Sequence, residues 1–170
     1  MPILTAEPPW LAAAQKDLGV RELPGAANAP VISQWLMDLG AWWRDDETPW
    51  CGVACGHWFR SVNLAVPSAF YRAKAWLDWG VPLSGPVLGA VVVFTRDGGG
   101  HVGLVAGVHG DYLVVLGGNQ GDMVKYALFD RSRVSGYRWP SDTGLLWSSY
   151  VDLPPITVAS GGLAVSTNEA

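Results

Sequence analysis

The sequence predicts an α+β fold in one domain, with helices first and a small antiparallel sheet of about five strands after them. Three observations predict it. Apolar residues recur at helical spacing as far as Gly80. Beyond that point they gather in short, β-branched runs separated by glycine-rich turns. The length, 170 residues, suits a single hydrophobic core.

The helices come in order. Trp10, Ala13, Ala14 and Leu18 share one helical face, and Gly19 stops that segment. Pro24-Gly25 marks a turn. Asn28-Ala29-Pro30 opens a second helix from Val31 to Leu39, closed by Gly40. A polar loop, Arg44-Asp45-Asp46-Glu47, leads through Thr48-Pro49-Trp50 into a third helix from Cys51 to Ser61, with Thr48 as its expected cap. Pro67 to Trp79 reads as a fourth helix, with Ala69, Ala73, Trp76 and Leu77 on its core side.

The strands follow. Ala90 to Phe94 is a continuous apolar run of strand length. After a turn at Asp97-Gly98-Gly99-Gly100, His101 to Val108 is a second strand. A hairpin turn at His109-Gly110-Asp111 leads into Tyr112 to Leu116. Met123 to Leu128 and Val134 to Trp139 complete the expected five. After Pro140 the composition shifts to Ser, Thr, Gly and Pro. Residues 1–140 are therefore read as the domain and 141–170 as a partly flexible extension.

Charge and composition narrow the function. A formal charge of −4, with Lys and Arg scattered, argues against a nucleic-acid partner. No run of about 18 apolar residues predicts a membrane span. The start, Met1-Pro2-Ile3-Leu4, has neither the basic nor the long apolar region of a secretion signal. The chain is expected to be made in the cytoplasm and, if its substrate lies outside, delivered by something else. The 10 Trp are read mainly as core, with a few near the site free to stack on sugar rings. Two cysteines, Cys51 and Cys55, are too few for a disulfide scaffold. No cofactor or metal is expected, because the three histidines lack zinc-finger spacing.

Cys51 opens a helix, where the dipole and unpaired N–H groups stabilise a thiolate and lower its pKa. A buried structural cysteine is the competing reading. Cys55, one turn deeper, reads as core. Among the histidines, His101 is placed best: it follows a glycine turn and enters a strand, a rim position from which a ring can reach a cleft. A catalytic histidine needs a partner for its second nitrogen. A hairpin centred on Gly110 sets His101 opposite Asn119, nine residues to either side, so Asn119 is the expected orienter. A turn or cap role is the plain alternative for that asparagine. Trp50 and Gln120 flank the nucleophile and the orienter. They are read as substrate-facing, against burial for Trp50 and a simple loop role for Gln120.

The runs Pro49-Trp50-Cys51-Gly52, Gly100-His101-Val102-Gly103 and Gly117-Gly118-Asn119-Gln120-Gly121 resemble the CHAP and NlpC/P60 superfamily of cysteine amidases and peptidases, above all its small prophage- and bacteria-encoded CHAP-like members. Gly136-Tyr137-Arg138-Trp139-Pro140 resembles the family's closing segment, and the likeness spans about Trp10 to Pro140. It implies a papain-like fold and a monomer that cuts peptidoglycan as an amidase or endopeptidase, with Cys51 as nucleophile, His101 as base and Asn119 as third member. Two positions depart from the pattern: Gly117 where many members carry Glu, and Gly52 where Ala is common. Alternatives are a protease or deamidase acting on proteins, a non-catalytic wall-binding or virion module, and a zinc protein using Cys51, Cys55 and His57.

Overall fold

The computed structural model describes residues 7–23, 28–44, 49–96, 99–156 and 165–166. The expected turn at Pro24-Gly25, the cap at Thr48, the Asp97-Gly98 corner, most of the Arg44–Glu47 loop and residues 157–164 and 167–170 of the tail lie outside the described residues.

The architecture is α+β. Among the described residues three α-helices, α1 (Pro9–Lys16), α2 (Pro30–Asp38) and α3 (Cys51–Ser61), precede a six-stranded sheet. The strands are β1 (Val81–Leu83), β2 (Val91–Arg96), β3 (Gly99–His109), β4 (Tyr112–Gly117), β5 (Lys125–Asp130) and β6 (Val134–Trp139), in the order β1-β6-β2-β3-β4-β5 with every neighbouring pair antiparallel. α1 and α2 both start on a proline, whose missing N–H costs nothing at the first helical turn. α3 packs against α1, α2 and β3 and buries Val53, Ala54, Cys55, Trp58 and Phe59.

The sixth strand is β1. A three-residue run containing Pro82 carries almost no strand signal, and it exists because β6 offers it an edge: Val81, Pro82 and Leu83 pair with Trp139, Arg138 and Tyr137. The segment expected as a fourth helix is a set of turns followed by a 3-10 helix, Ala73–Asp78. Its bonds close over three residues, Arg72 N to Ala69 O and Ala75 N to Arg72 O. The carbonyl of Phe70, which an α-helix would bond to residue 74, instead accepts the Trp76 indole N–H at 3.0 Å.

The sheet is strongly curled. β2 and β5 are three strand steps apart, about 14 Å in a flat sheet. Yet Phe94 of β2 and Phe129 of β5 stack at 4.3 Å between ring centroids. Part of the bend comes from a bulge at Ala106, where β3 carries one residue more than β4 between Val105 and Gly107. The helices cover one part of the sheet, and six tryptophans (Trp10, Trp35, Trp50, Trp58, Trp76 and Trp139) are buried in the core. Each aromatic pair here, such as Trp10 edge-on to Trp139 at 5.0 Å, adds about 0.5–1.5 kcal/mol beyond its area.

The segment after Pro140 is tied to the sheet where it is described. Tyr150 is buried against Trp139, and its carbonyl accepts from Leu88 N–H. Pro155 pairs in parallel with Val108, and Val165 with Leu128. These contacts join residues 141–156 and 165–166 to the body that was expected to end at Pro140.

Candidate active site

The site is made where β3 outruns β4. The last β3–β4 pair is Leu104 with Leu116, so the stretch from Gly99 to Gly103 continues past its partner. α3 meets β3 and β4 there, and its first residue, Cys51, lies beside β3. Cys51 shares a hydrogen bond with the His101 ring and is also bonded by the backbone of Val102 and of Gly52.

The helix start explains why a sulfur sits here. Trp50 is the cap residue and gives no side-chain cap bond. The first intrahelical bond is Ala54 N to Trp50 O, so the N–H groups of Cys51, Gly52 and Val53 have no partner within the helix. Free N–H groups at a helix start favour a nearby anion such as a thiolate. Burial raises the Cys51 pKa, but the His101 hydrogen bond and charge, with the Val102 and Gly52 backbone bonds, outweigh it and hold the thiol below its ordinary 9.0. Cys55 has no such partners. Burial and the neighbouring Cys51 charge push it well above that value, as a core thiol should behave.

His101 is only 1% exposed and lies flat against Phe129, centroids 5.4 Å apart and planes 8° from parallel. Its Nε2 is 2.9 Å from Gln120 Oε1. The amide nitrogen of Gln120 donates to Lys125 O at 2.7 Å and Val115 O at 3.2 Å, which sets its oxygen toward the ring. Nε2 must therefore carry the hydrogen, and Nδ1 is left to face the thiol. The tautomer is set two bonds away from the chemistry.

The structure thus brings Cys51 and His101 together and assigns the ring's second partner differently from the hairpin argument. With the bulge, β3 and β4 do run in the register that would set 101 opposite 119. But β4 ends at Gly117, and Asn119 beyond it has a left-handed backbone, φ +56°. Asn119 is buried, and the amide on the ring is that of Gln120. Gln120, expected to face substrate, is 2% exposed and faces the interior. Trp50 is likewise buried, its ring against Gly118 and its indole N–H donating to Glu22 Oε2 at 2.9 Å.

Gly117 and Gly52 acquire reasons. A Cβ on Gly117 would stand 2.3 Å from Gln120 Oε1 and 3.3 Å from His101 Nε2, so a bare backbone leaves the space that the glutamine amide fills. A Cβ on Gly52 would stand 2.1 Å from Phe70 O. Sequence reading missed the Val102 backbone, the Phe129 stacking surface and the role of Gln120. The doubled Gly117-Gly118 was the available signal for the last, since it makes room for a longer side chain.

Other histidines lie elsewhere. His57 stacks on Trp35 at 4.6 Å and pairs with Asp17 at 3.5 Å, while His109 Nδ1 meets Ile156 O at 2.9 Å. Among the described residues no three His, Cys, Asp or Glu gather as a metal site, so Cys51, Cys55 and His57 do not form one. None of the described helices is long and apolar enough to cross a membrane. No family model matches the chain, and no curated protein matches it either.

Proposed function

We propose that this chain is a papain-like cysteine hydrolase that cleaves an amide bond of peptidoglycan, with Cys51 as nucleophile, His101 as acid and base, and Gln120 as the group that orients the ring. The observation that carries the reading is the unbroken chain from Gln120 through His101 to a helix-tip thiol whose pKa is lowered. A purely structural cysteine, such as Cys55, shows the opposite shift. The CHAP-like order of the Trp-Cys, Gly-His-Val-Gly and Gly-Gly-Asn-Gln runs supports the wall as substrate.

In this mechanism the Cys51 thiolate attacks the amide carbonyl carbon and forms a C–S bond. The N–H of Cys51, unpaired within the helix, faces the oxyanion. The C–N bond breaks as imidazolium His101 gives its Nδ1 proton to the leaving amine, leaving a thioester. Water then attacks the thioester as His101 takes its proton, and a carboxylic acid and free Cys51 result. Gln120 accepts from Nε2–H throughout, so neither protonation state of the ring loses its partner.

The test uses purified cell walls. The parent should release amines and solubilise the wall, and Cys51→Ala and His101→Ala should each abolish this. Wall digestion by either variant at the parent's rate refutes the assignment. Release of amines from casein but none from walls would point to the protein-directed alternative.

A further inference from the structure

Among the described residues, the most exposed large apolar side chain is Trp42, at 88%. It is not isolated. Trp42 meets Trp43 edge-on at 5.4 Å, and Trp43 meets Tyr71 edge-on at 5.0 Å. Arg72, itself exposed, holds its guanidinium 5.6 Å from the Tyr71 ring centroid. These rings form a continuous aromatic ledge that ends in open solvent.

The backbone that carries Tyr71 lies beside the first turn of α3. The backbone carbon of Tyr71 lies 3.1 Å from where a Cβ on Gly52 would stand, so Tyr71 abuts the residue after the nucleophile. Three residues on, Lys74 packs against Gly100, the residue before His101. The segment 70–74 therefore borders both the nucleophile's helix start and the strand entry before His101, while Gly117 to Gln120 is made of glycines and buried amides.

The geometry points to Trp42, Trp43 and Tyr71 as a glycan subsite, which holds the sugar strand of the substrate beside Cys51. This inference rests on the reading of the protein as a wall hydrolase and names the part of the wall it grips. Of the two components of peptidoglycan, the stem peptides are short and built of small and charged residues. The glycan alone presents rings, with C–H faces that stack on indole. A solvent-exposed indole pair joined to this segment offers such faces their match, and Arg72 adds donors for hydroxyl and carboxylate oxygens. A strand seated there brings the amide next to the sugar to the nucleophile. The bond cut is then the one joining glycan to peptide.

Direct binding keeps this claim apart from turnover. The probe is a peptide-free tetrasaccharide of alternating N-acetylglucosamine and N-acetylmuramic acid, titrated calorimetrically into the Cys51→Ala protein. Binding is expected, weakened at least about tenfold by adding Trp42→Ala and largely kept by Trp42→Phe. Being so exposed, Trp42 can be truncated without unfolding the chain, and a thermal scan verifies this. Failure of the tetrasaccharide to bind, or equal binding with alanine at 42, overturns the subsite even if walls are digested. Mass spectrometry of the digest should show glycan freed of peptide. Fragments that all keep the sugar–peptide link overturn the bond assignment. Loss of wall digestion in the parent would refute the hydrolase reading, and saccharide binding would still be read independently.

Discussion

His101 and Gln120 share a 2.9 Å hydrogen bond in the interior, and the amide that makes it is anchored by two carbonyls at its far end. The ring therefore has one tautomer and one orientation. Without Gln120, the Nε2–H and the carbonyls of Val115 and Lys125 would all lose a partner in a buried place, at a cost of about 1–3 kcal/mol. Gln120→Ala should reduce kcat by roughly tenfold to a thousandfold, by analogy with the loss of a triad member. Asn119→Ala should cost less activity. Kinetics of the two variants side by side decide which amide orients the ring, and the larger loss at Asn119 would restore the simpler hairpin argument.

The two thiols should separate chemically. Cys51, held below 9.0, should be alkylated by iodoacetamide near neutral pH, and its rate should fall as pH drops through the lowered value. Cys55, raised and fully buried, should react only once the chain is unfolded. Peptide mapping after native and denatured labelling should find one modified site and then two. Modification of Cys55 in the native protein would contradict the burial.

The same shift couples stability to pH. A folded-state pKa below the unfolded 9.0 means that the fold favours the thiolate. That contribution is complete above pH 9 and is lost as pH falls through the lowered value. Cys55 acts with the opposite sign, losing its contribution as pH rises above 9. Denaturant unfolding of the parent and Cys51→Ala should show the variant with a flatter rise in stability between neutral pH and 9. Parallel curves would count against the lowered Cys51 pKa.

Glycines at the site should tolerate no side chain. Gly52→Ala sets a methyl 2.1 Å from Phe70 O, a backbone atom, and should cost about 1–3 kcal/mol in urea unfolding. Gly117→Ala pushes on the end of the Gln120 side chain, which can yield, so it should lose activity more than stability. If both variants lose stability alike and Gly117→Ala keeps full activity, the space at Gly117 has no part in placing the ring.

Residues beyond Pro140 should matter to folding. Tyr150 packs on Trp139 and its neighbours pair with β3. Tyr150→Ala should lower unfolding free energy by about 2–4 kcal/mol, in the range for emptying a buried aromatic site. A change within error would restore the reading of residues 141–170 as a separate extension.

Local pattern alone was enough for much of this protein. The α1, α2 and α3 segments, strands β2 to β6 and the pairing of a helix-tip Cys51 with a strand-borne His101 all follow from periodicity, turn residues and the chemistry of helix ends. Features that depend on atoms distant in sequence did not. β1 exists because β6 has a free edge, and the fourth helix fails because Trp76 takes a carbonyl that an α-helix would need. Asn119 was named from strand register, but register ends where β4 ends, and a left-handed residue there turns the next side chain onto the ring. Trp50 and Gln120 adjoin the site in the chain yet are buried, because exposure is settled by what packs above a residue. A sequence specifies hydrophobic period and hydrogen-bonding capacity. Which donor meets which acceptor waits on the folded chain, where the geometry of every neighbour is set at once.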